Sequence, residues 1–192
     1  MQKNTKADVS TTKKLVYTAV LTALAYAVSY FEIPIFPAAP FLKLDFSAVF
    51  ILLVGFKFGA LYGVGSCAVK ELICFITKSS TGGVGEIANF LIVSAFILFP
   101  IILYGYKKGL KSVILSLIVA CFIATATALL VNRFINFPFY MGDPLFVGGE
   151  TSISAFKKLW VYVLLFNLIK SVAVSILTIV LYKRLSWLIE KF

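Results

Sequence analysis

Histidine is absent from this sequence, and its eight acidic residues are outnumbered by eighteen lysines and arginines. Without histidine, the chain lacks the commonest general base, the commonest metal ligand and the usual switch near neutral pH. Its three cysteines form no CxxC pair and lie inside apolar runs, which argues against a disulfide framework or a zinc site. Residues 82–85 (Gly-Gly-Val-Gly) are followed by Glu86 rather than by the lysine of a P-loop, so ATP binding of that kind is excluded. We therefore expect no catalytic residue, no metal site and no enzymatic activity.

Apolar residues dominate what is present. They make up 61% of the 192 residues, and the mean hydropathy is +1.01. A soluble globular domain has about 45–50% apolar residues, and this excess exceeds what one core of this length could bury. Such a surface needs lipid as its solvent. The composition predicts an all-α integral membrane protein, with residues 1–192 forming a single transmembrane domain in the lipid bilayer.

The apolar runs predict six transmembrane helices, if the run from Asp45 to Val69 is divided near Lys57. Three prolines between Glu32 and Pro40 exclude a helix there, and residues 133–156 are predicted to form the longest loop. A single helix through Lys57 would give five spans and place the two basic ends of the chain on opposite sides. The helices are predicted at about residues 15–31, 45–57, 59–76, 86–105, 111–132 and 157–183.

Charge favours six spans over five. With six, the side that holds both termini carries eleven basic residues: Lys3, Lys6, Lys13, Lys14, Lys57, Lys107, Lys108, Lys111, Lys183, Arg184 and Lys191. The other side carries five: Lys43, Lys78, Arg133, Lys157 and Lys158. Because basic residues concentrate on cytoplasmic loops of membrane proteins, we expect the N- and C-termini to be cytoplasmic. Because membrane topology explains the excess of basic residues, we expect no nucleic acid as a partner.

Polar residues inside the predicted spans indicate a binding site. A charged side chain in a span costs on the order of 2.5–3.5 kcal/mol on insertion scales, and such residues usually face the protein interior or a water-filled cavity. Lys170 lies deep in the last predicted helix, and Asn167 shares its helical face. Asn132 ends the fifth predicted helix, while Glu86 and Asn89 open the fourth. Together these groups could surround a neutral solute with carbonyls and hydroxyls.

Each of these residues also has a purely structural interpretation. Lys170 could form a buried ion pair with Glu71 that binds no ligand. Glu86 could cap the fourth helix, because a carboxylate is stabilised at a helix N-terminus. Asn89 and Asn167 could make hydrogen bonds between helices.

The first predicted helix carries a stripe of small residues. Ala19, Ala23 and Ala27 recur every four positions and therefore lie on one helical face. Small residues at this spacing allow another helix to approach closely. The stripe predicts either packing within this chain or a docking face for a different protein.

Three stretches resemble the S components of energy-coupling factor (ECF) transporters. They are the alanine-striped first helix, the proline-rich loop that ends in residues 42–47 (Leu-Lys-Leu-Asp-Phe-Ser), and residues 85–90 (Gly-Glu-Ile-Ala-Asn-Phe). The resemblance covers essentially the whole chain and is closest to the riboflavin-specific branch. It implies the six-helix S-component fold in the bacterial cytoplasmic membrane, a vitamin captured at the outer face, and the loop 32–44 as a lid. It also implies that the alanine stripe docks on the transmembrane coupling subunit EcfT, and that two separate ATPase subunits supply the energy.

With riboflavin as the implied ligand, the polar residues of the spans can be matched to its groups. Riboflavin has a flat ring, a polar pyrimidine edge and a hydroxylated tail, which amides, lysine and glutamate can hydrogen-bond. We expect Asn132, Asn167 and Lys170 at the polar groups, Glu86 and Asn89 nearby, and Phe41, Leu42 and Leu44 against the ring. The alternatives are an S component for another vitamin of the thiamine or biotin class, a ligand-free scaffold subunit, and a self-sufficient secondary transporter. No internal repeat supports the last of these.

Overall fold

The computed structural model describes the backbone of residues 11–191 and the side chains of residues 11–182. The predictions that rest on the tail residues Lys3 and Lys6 lie outside the described residues. So do those that rest on the side chains of Lys183, Arg184 and Lys191. Within the described part the chain is mostly helical.

The elements follow one another as a helix, a small hairpin and then a run of helices. The helices are α1 Thr11–Val28, α2 Ser47–Phe58, α3 Ala60–Lys78, α4 Val84–Tyr106, α5 Leu110–Val131, a π-helical turn Asn132–Asn136, α6 Phe137–Met141 and α7 Glu150–Lys191. The strands β1 Ile33–Pro34 and β2 Lys43–Leu44 pair antiparallel, with Ile33 opposite Leu44 and Pro34 opposite Lys43.

Four helical stretches among the described residues are long and apolar enough to cross a membrane. They are Ala60–Lys78, Val84–Tyr106, Leu110–Met141 and Glu150–Tyr182. With 12 residues, α2 is apolar but shorter than the about 20 residues that a span needs. These helices make the chain a membrane protein.

The chain does break between α2 and α3, and a single helix through Lys57 is wrong. Gly59 lies between them with φ 94° and ψ 178°, a conformation that favours glycine. The two helices then pack against each other through glycine: a Cβ added to Gly63 would lie 3.2 Å from the Gly55 Cα and 2.9 Å from Ile101 Cδ1. Gly55 and Gly63 therefore allow the helices to approach closely.

Three predicted boundaries differ from the structure. The first helix spans Thr11–Val28 rather than 15–31, so Phe31 already belongs to the lid segment. The predicted loop 133–156 is mostly helical, because the π-helical turn and α6 continue α5 as far as Met141. Pro138 lies inside this continuous helix and cannot donate to the Phe134 carbonyl, which accepts instead from the backbone N–H of Phe146 at 2.8 Å.

At its other end, this loop is shortened by an early start of α7 at Glu150. Asp143 Oδ2 accepts a hydrogen bond from the backbone N–H of Ser152 at 2.9 Å and so satisfies one of the unpaired donors of the first turn. Only residues 142–149 then remain as a connection.

The core divides into a large cluster between the helices and a small one beneath the lid. Helix α5 packs against both α4 and α7, and α3 packs against α1, α2 and α4. The small cluster joins the lid to α6 and to the first half of α7 through Ala39, Leu42, Phe137, Val163 and Phe166. This arrangement leaves a polar space between the lid and the large cluster.

Candidate functional site

A cavity of about 280 Å³ opens at the end of the bundle where α3 ends and α4 begins. Its walls come from the lid, α3, α4, the π-helical turn, α6 and α7. Small-molecule sites are clefts of roughly 300–1,000 Å³, so the volume lies just below that range. Seven of the eight side chains expected at the ligand line it: Phe41, Leu42, Glu86, Asn89, Asn132, Asn167 and Lys170.

Of the eight residues expected to contact the ligand, Leu44 is the one that does not line the cavity. Its half-buried side chain packs on the small cluster beneath the lid. Successive side chains of a strand point to opposite faces, and it is the preceding residue, Lys43, that lines the cavity.

Two ion pairs, one buried and one partly buried, form the floor of the cavity. Lys170 Nζ lies 2.7 Å from Asp45 Oδ2, and Lys70 Nζ lies 2.8 Å from Glu71 Oε1. Asn89 joins them: its Nδ2 donates to Glu71 Oε1, and its Oδ1 lies 3.5 Å from Lys170 Nζ. A direct pair between Lys170 and Glu71 is therefore wrong, because each has a different partner.

Asp45 is ionised in this arrangement. It is 7% exposed, and burial alone would raise its pKa. The positive charges of Lys170 and Lys70, with hydrogen bonds from Lys170 and Ser47, outweigh burial and hold the pKa of Asp45 well below its ordinary value. The four charges at the floor therefore sum to zero.

Three asparagines form one wall. Asn132 Nδ2 donates to Ala128 O at 2.8 Å, and Asn136 Nδ2 donates to Asn132 Oδ1 at 3.1 Å. On α7, Asn167 Nδ2 donates to Val163 O at 2.8 Å. Asn136 Oδ1 is buried and has no partner among the described residues. The π-helical turn that carries Asn132 and Asn136 is a feature often found at functional sites.

Glu86 lies in the first turn of α4, at the opposite wall. Its Oε2 accepts a hydrogen bond from Thr81 Oγ1 at 2.9 Å, and Thr81 Oγ1 in turn accepts from the backbone N–H of Gly85 at 3.1 Å. Thr81 therefore accepts a hydrogen bond from a backbone N–H in the first turn of α4, and Glu86 holds the Thr81 hydroxyl in position. The carboxylate is also favoured there by the helix dipole.

The predicted lid, residues 32–44, lines one side of the cavity through Glu32, Phe41, Leu42 and Lys43. The hairpin is linked by an ion pair between Lys43 Nζ and Glu32 Oε1 at 3.1 Å, and both side chains are partly exposed. Phe41 makes an edge contact with Phe137, with ring centroids 6.0 Å apart. The lid thus presents an apolar ring on the cavity side.

The alanine stripe on α1 is exposed rather than packed within the chain. Ala19, Ala23 and Ala27 all lie on the outer surface, whereas Ala25 is fully buried. The inner face of α1 is joined to α3 by polar contacts, such as the one between the hydroxyls of Thr22 and Ser66. The stripe therefore does not pack against the other described helices of this chain.

Comparison with known proteins decides the family. A family model described as "ECF transporter, substrate-specific component" matches residues 13–182. The chain belongs to this family of S components. S components are substrate-binding subunits of transporters rather than enzymes.

Named relatives of this S component are transporters. It is 32% identical over 181 residues to "Riboflavin transporter RibU" of Staphylococcus aureus (strain TCH60), covering 94% of each chain. It is 29% identical over 183 residues to "Riboflavin transporter FmnP" of Bacillus subtilis (strain 168), covering 93% of this chain and 95% of the relative. A solved structure described as "Structure and mechanism of the S component of a bacterial ECF transporter" superposes with a TM-score of 0.79 at 32% identity, covering 92% of this chain and 97% of that one.

Sequence reasoning left out several cavity residues of the S component. Asp45, Lys70 and Glu71 line the cavity but are absent from the ligand-contacting residues predicted from the sequence. Asn136 was missed, and its spacing of four residues from Asn132 was the signal that could have found it.

Proposed function

We propose that this chain is the riboflavin-binding subunit of an ECF transporter. It captures the vitamin at the outer face of the bacterial cytoplasmic membrane and delivers it to the cytoplasm with an ATP-driven module. The observation that carries the proposal is the neutral, amide-rich cavity beneath an apolar lid. The names of the relatives, which are riboflavin transporters in Staphylococcus aureus and Bacillus subtilis, point to the same vitamin.

The charges around the cavity suit an uncharged ligand. Among the described residues that line it, four are acidic and four are lysines, so the net charge is zero: Glu32, Asp45, Glu71 and Glu86 against Lys43, Lys70, Lys78 and Lys170. The floor lysines are already neutralised by carboxylates at 2.7 and 2.8 Å. A cationic vitamin such as thiamine would meet no excess of negative charge here, whereas riboflavin needs none.

The hydrogen-bonding groups match a flavin edge. Riboflavin presents carbonyl acceptors and an N–H donor on its pyrimidine side. Lys170 can donate to a carbonyl, and the amides of Asn132, Asn136 and Asn167 can donate or accept. Phe41 and Leu42, on the lid side, can pack on the flat ring.

We propose the six-span topology with both termini cytoplasmic as part of this function. The cavity then opens outward, and the basic turn with Lys107, Lys108 and Lys111 faces the cytoplasm, as the positive-inside rule requires. The exposed stripe of Ala19, Ala23 and Ala27 docks on the transmembrane coupling subunit EcfT, and two ATPase subunits supply the energy. In this assignment, EcfT covers the exposed alanine face of α1.

Ligand retention tests the proposal against the other vitamins. The detergent-purified protein would be incubated with an equimolar mixture of riboflavin, thiamine and biotin, separated from free ligand by gel filtration, and analysed by mass spectrometry. Riboflavin alone should co-elute in near-stoichiometric amount. Retention of thiamine or biotin instead would reject the flavin assignment, and retention of none would favour a ligand-free scaffold.

A further inference from the structure

Asp45 occupies the point where the lid joins the helical bundle. It follows β2 directly and precedes the first residue of α2 by two positions. Both of its carboxylate oxygens are engaged by protein groups: Oδ1 accepts from the backbone N–H of Ser47 at 2.9 Å and from the Ser47 hydroxyl, and Oδ2 accepts from Lys170 Nζ at 2.7 Å. The side chain is therefore bound to the start of α2 and to α7 at once.

The ion pair connects parts of the chain that are far apart in sequence. Asp45 and Lys170 are separated by 125 positions. Leu44, the residue before Asp45, pairs with Ile33 in the hairpin. Anchoring Asp45 to α7 therefore fixes the end of β2 and, through the pairing of the strands, the position of the lid.

The same pair determines where the Lys170 ammonium points. A lysine ammonium has three donors, and Asp45 and Asn89 lie within reach of two of them, at 2.7 and 3.5 Å. One donor remains for a ligand in the cavity. Without the Asp45 carboxylate, the partly buried ammonium would have no counter-ion in contact, a state that proteins avoid by moving the charged group or the structure around it.

We propose that Asp45 is a positioning residue that anchors the lid in its closed position and aims Lys170 at the ligand, without contacting the ligand itself. This inference rests on the proposed function, because it concerns the binding of riboflavin. It predicts that Asp45 acts on riboflavin only through Lys170.

A double-mutant cycle tests that dependence. Asp45→Asn, Lys170→Met and the double variant would be compared with the wild type for riboflavin Kd, by fluorescence quenching, and for the dissociation rate, by displacement. Asp45→Asn should raise Kd at least tenfold, chiefly through faster dissociation, because the lid loses its anchor. In the Lys170→Met background the same change should raise Kd less than threefold, since the group through which it acts is gone.

A matched control is the exposed ion pair of the same lid. A cycle on Glu32→Gln and Lys43→Met should give a coupling below threefold, because partly exposed pairs contribute little. A coupling as large as that of the pair between Asp45 and Lys170 would show that any lid charge acts in this way and would overturn the specific role of Asp45.

Thiol labelling provides a readout that a general loss of stability would not produce. Cys74 lines the cavity, whereas Cys67 and Cys121, also buried, do not. In the ligand-free protein, Asp45→Asn should speed the reaction of Cys74 with a small maleimide several-fold and leave Cys67 and Cys121 unchanged. Equal acceleration at all three would indicate unfolding and contradict an anchored lid.

The outcomes separate the two proposals. If the increase in Kd of the double variant equals the product of the increases in the two single variants, the role of Asp45 is overturned. The proposal that the wild-type protein binds riboflavin would then still stand. If Asp45→Asn does not fold, the comparison of Lys170→Met with the double variant still decides, because a further tenfold loss there would overturn the inference. A wild-type protein that leaves riboflavin fluorescence unchanged would reject the proposed function and this inference with it.

Discussion

Replacing Asn167 by leucine tests whether the amide wall of the cavity holds the polar edge of the ligand. Asn167 is 6% exposed, and its Nδ2 is tied to Val163 O at 2.8 Å, so the amide is fixed in orientation. No described side chain donates to its Oδ1, which leaves that atom for a donor on the ligand. Leucine has a similar volume but cannot accept, so the N–H of bound riboflavin would be buried without a partner.

The size of the effect follows from that lost hydrogen bond. A buried donor left unpaired costs about 1–3 kcal/mol, which corresponds to an increase in Kd of about 5- to 150-fold. Riboflavin titration by fluorescence quenching measures Kd directly. A control on the same helix is Ile169→Ala, because Ile169 is exposed on the outer surface and lines no part of the cavity; it should bind within about twofold of wild type. If folded Asn167→Leu binds riboflavin as well as wild type does, the amide wall is not the flavin-binding surface.

Three further predictions concern stability and docking. Glu71→Gln should destabilise the protein by about 3–5 kcal/mol in thermal unfolding, because it leaves a buried lysine unpaired; a change below about 1 kcal/mol would contradict the buried pair. Gly63→Ala should destabilise the protein by about 1–3 kcal/mol through overpacking. As a control, Gly65→Ala should be neutral or stabilising, because no atom lies within 4 Å of the added Cβ. Equal effects of the two variants would refute the close approach of α2 and α3. Ala23→Trp should abolish co-purification with the coupling subunit while riboflavin binding persists, and Leu115→Trp, exposed on α5, should affect neither; normal co-purification of Ala23→Trp would exclude the stripe as the docking face.

The cavity residues that sequence analysis identified share one property. Lys170 and Asn167 are polar groups within an apolar helix, and the helical period alone places them on one face. Glu86 and Asn89 are likewise three residues apart at the start of a helix. Local spacing and the high energy of a polar group in lipid were sufficient to find them.

What sequence analysis missed depends on pairings across the chain. Nothing local indicates that Lys170 takes Asp45 as its partner rather than Glu71, because the two are brought together only when the lid folds against α7. That Leu44 lies outside the cavity lining could not be foreseen for a related reason. Its strand has only two residues, too few to show an alternating pattern that would identify the inward face.

The loop between the fifth and last predicted helices was misjudged because of its turn-forming residues. Proline and glycine normally interrupt helices, and residues 133–156 contain both. Pro138, however, is tolerated inside the helix because the backbone N–H of Phe146 donates to the Phe134 carbonyl in its place. Asp143 provides a hydrogen bond acceptor for the start of α7. These are tertiary and positional effects that composition does not reveal.

The central claim, that the cavity binds riboflavin, is tested most directly by adding the detergent-purified wild-type protein to a fixed amount of riboflavin and following the quenching of flavin fluorescence. The account predicts saturable quenching with one riboflavin per chain and a flavin absorption spectrum in the gel-filtered complex. Fluorescence that stays unchanged up to a large excess of protein would contradict it, and the cavity would then need a different ligand.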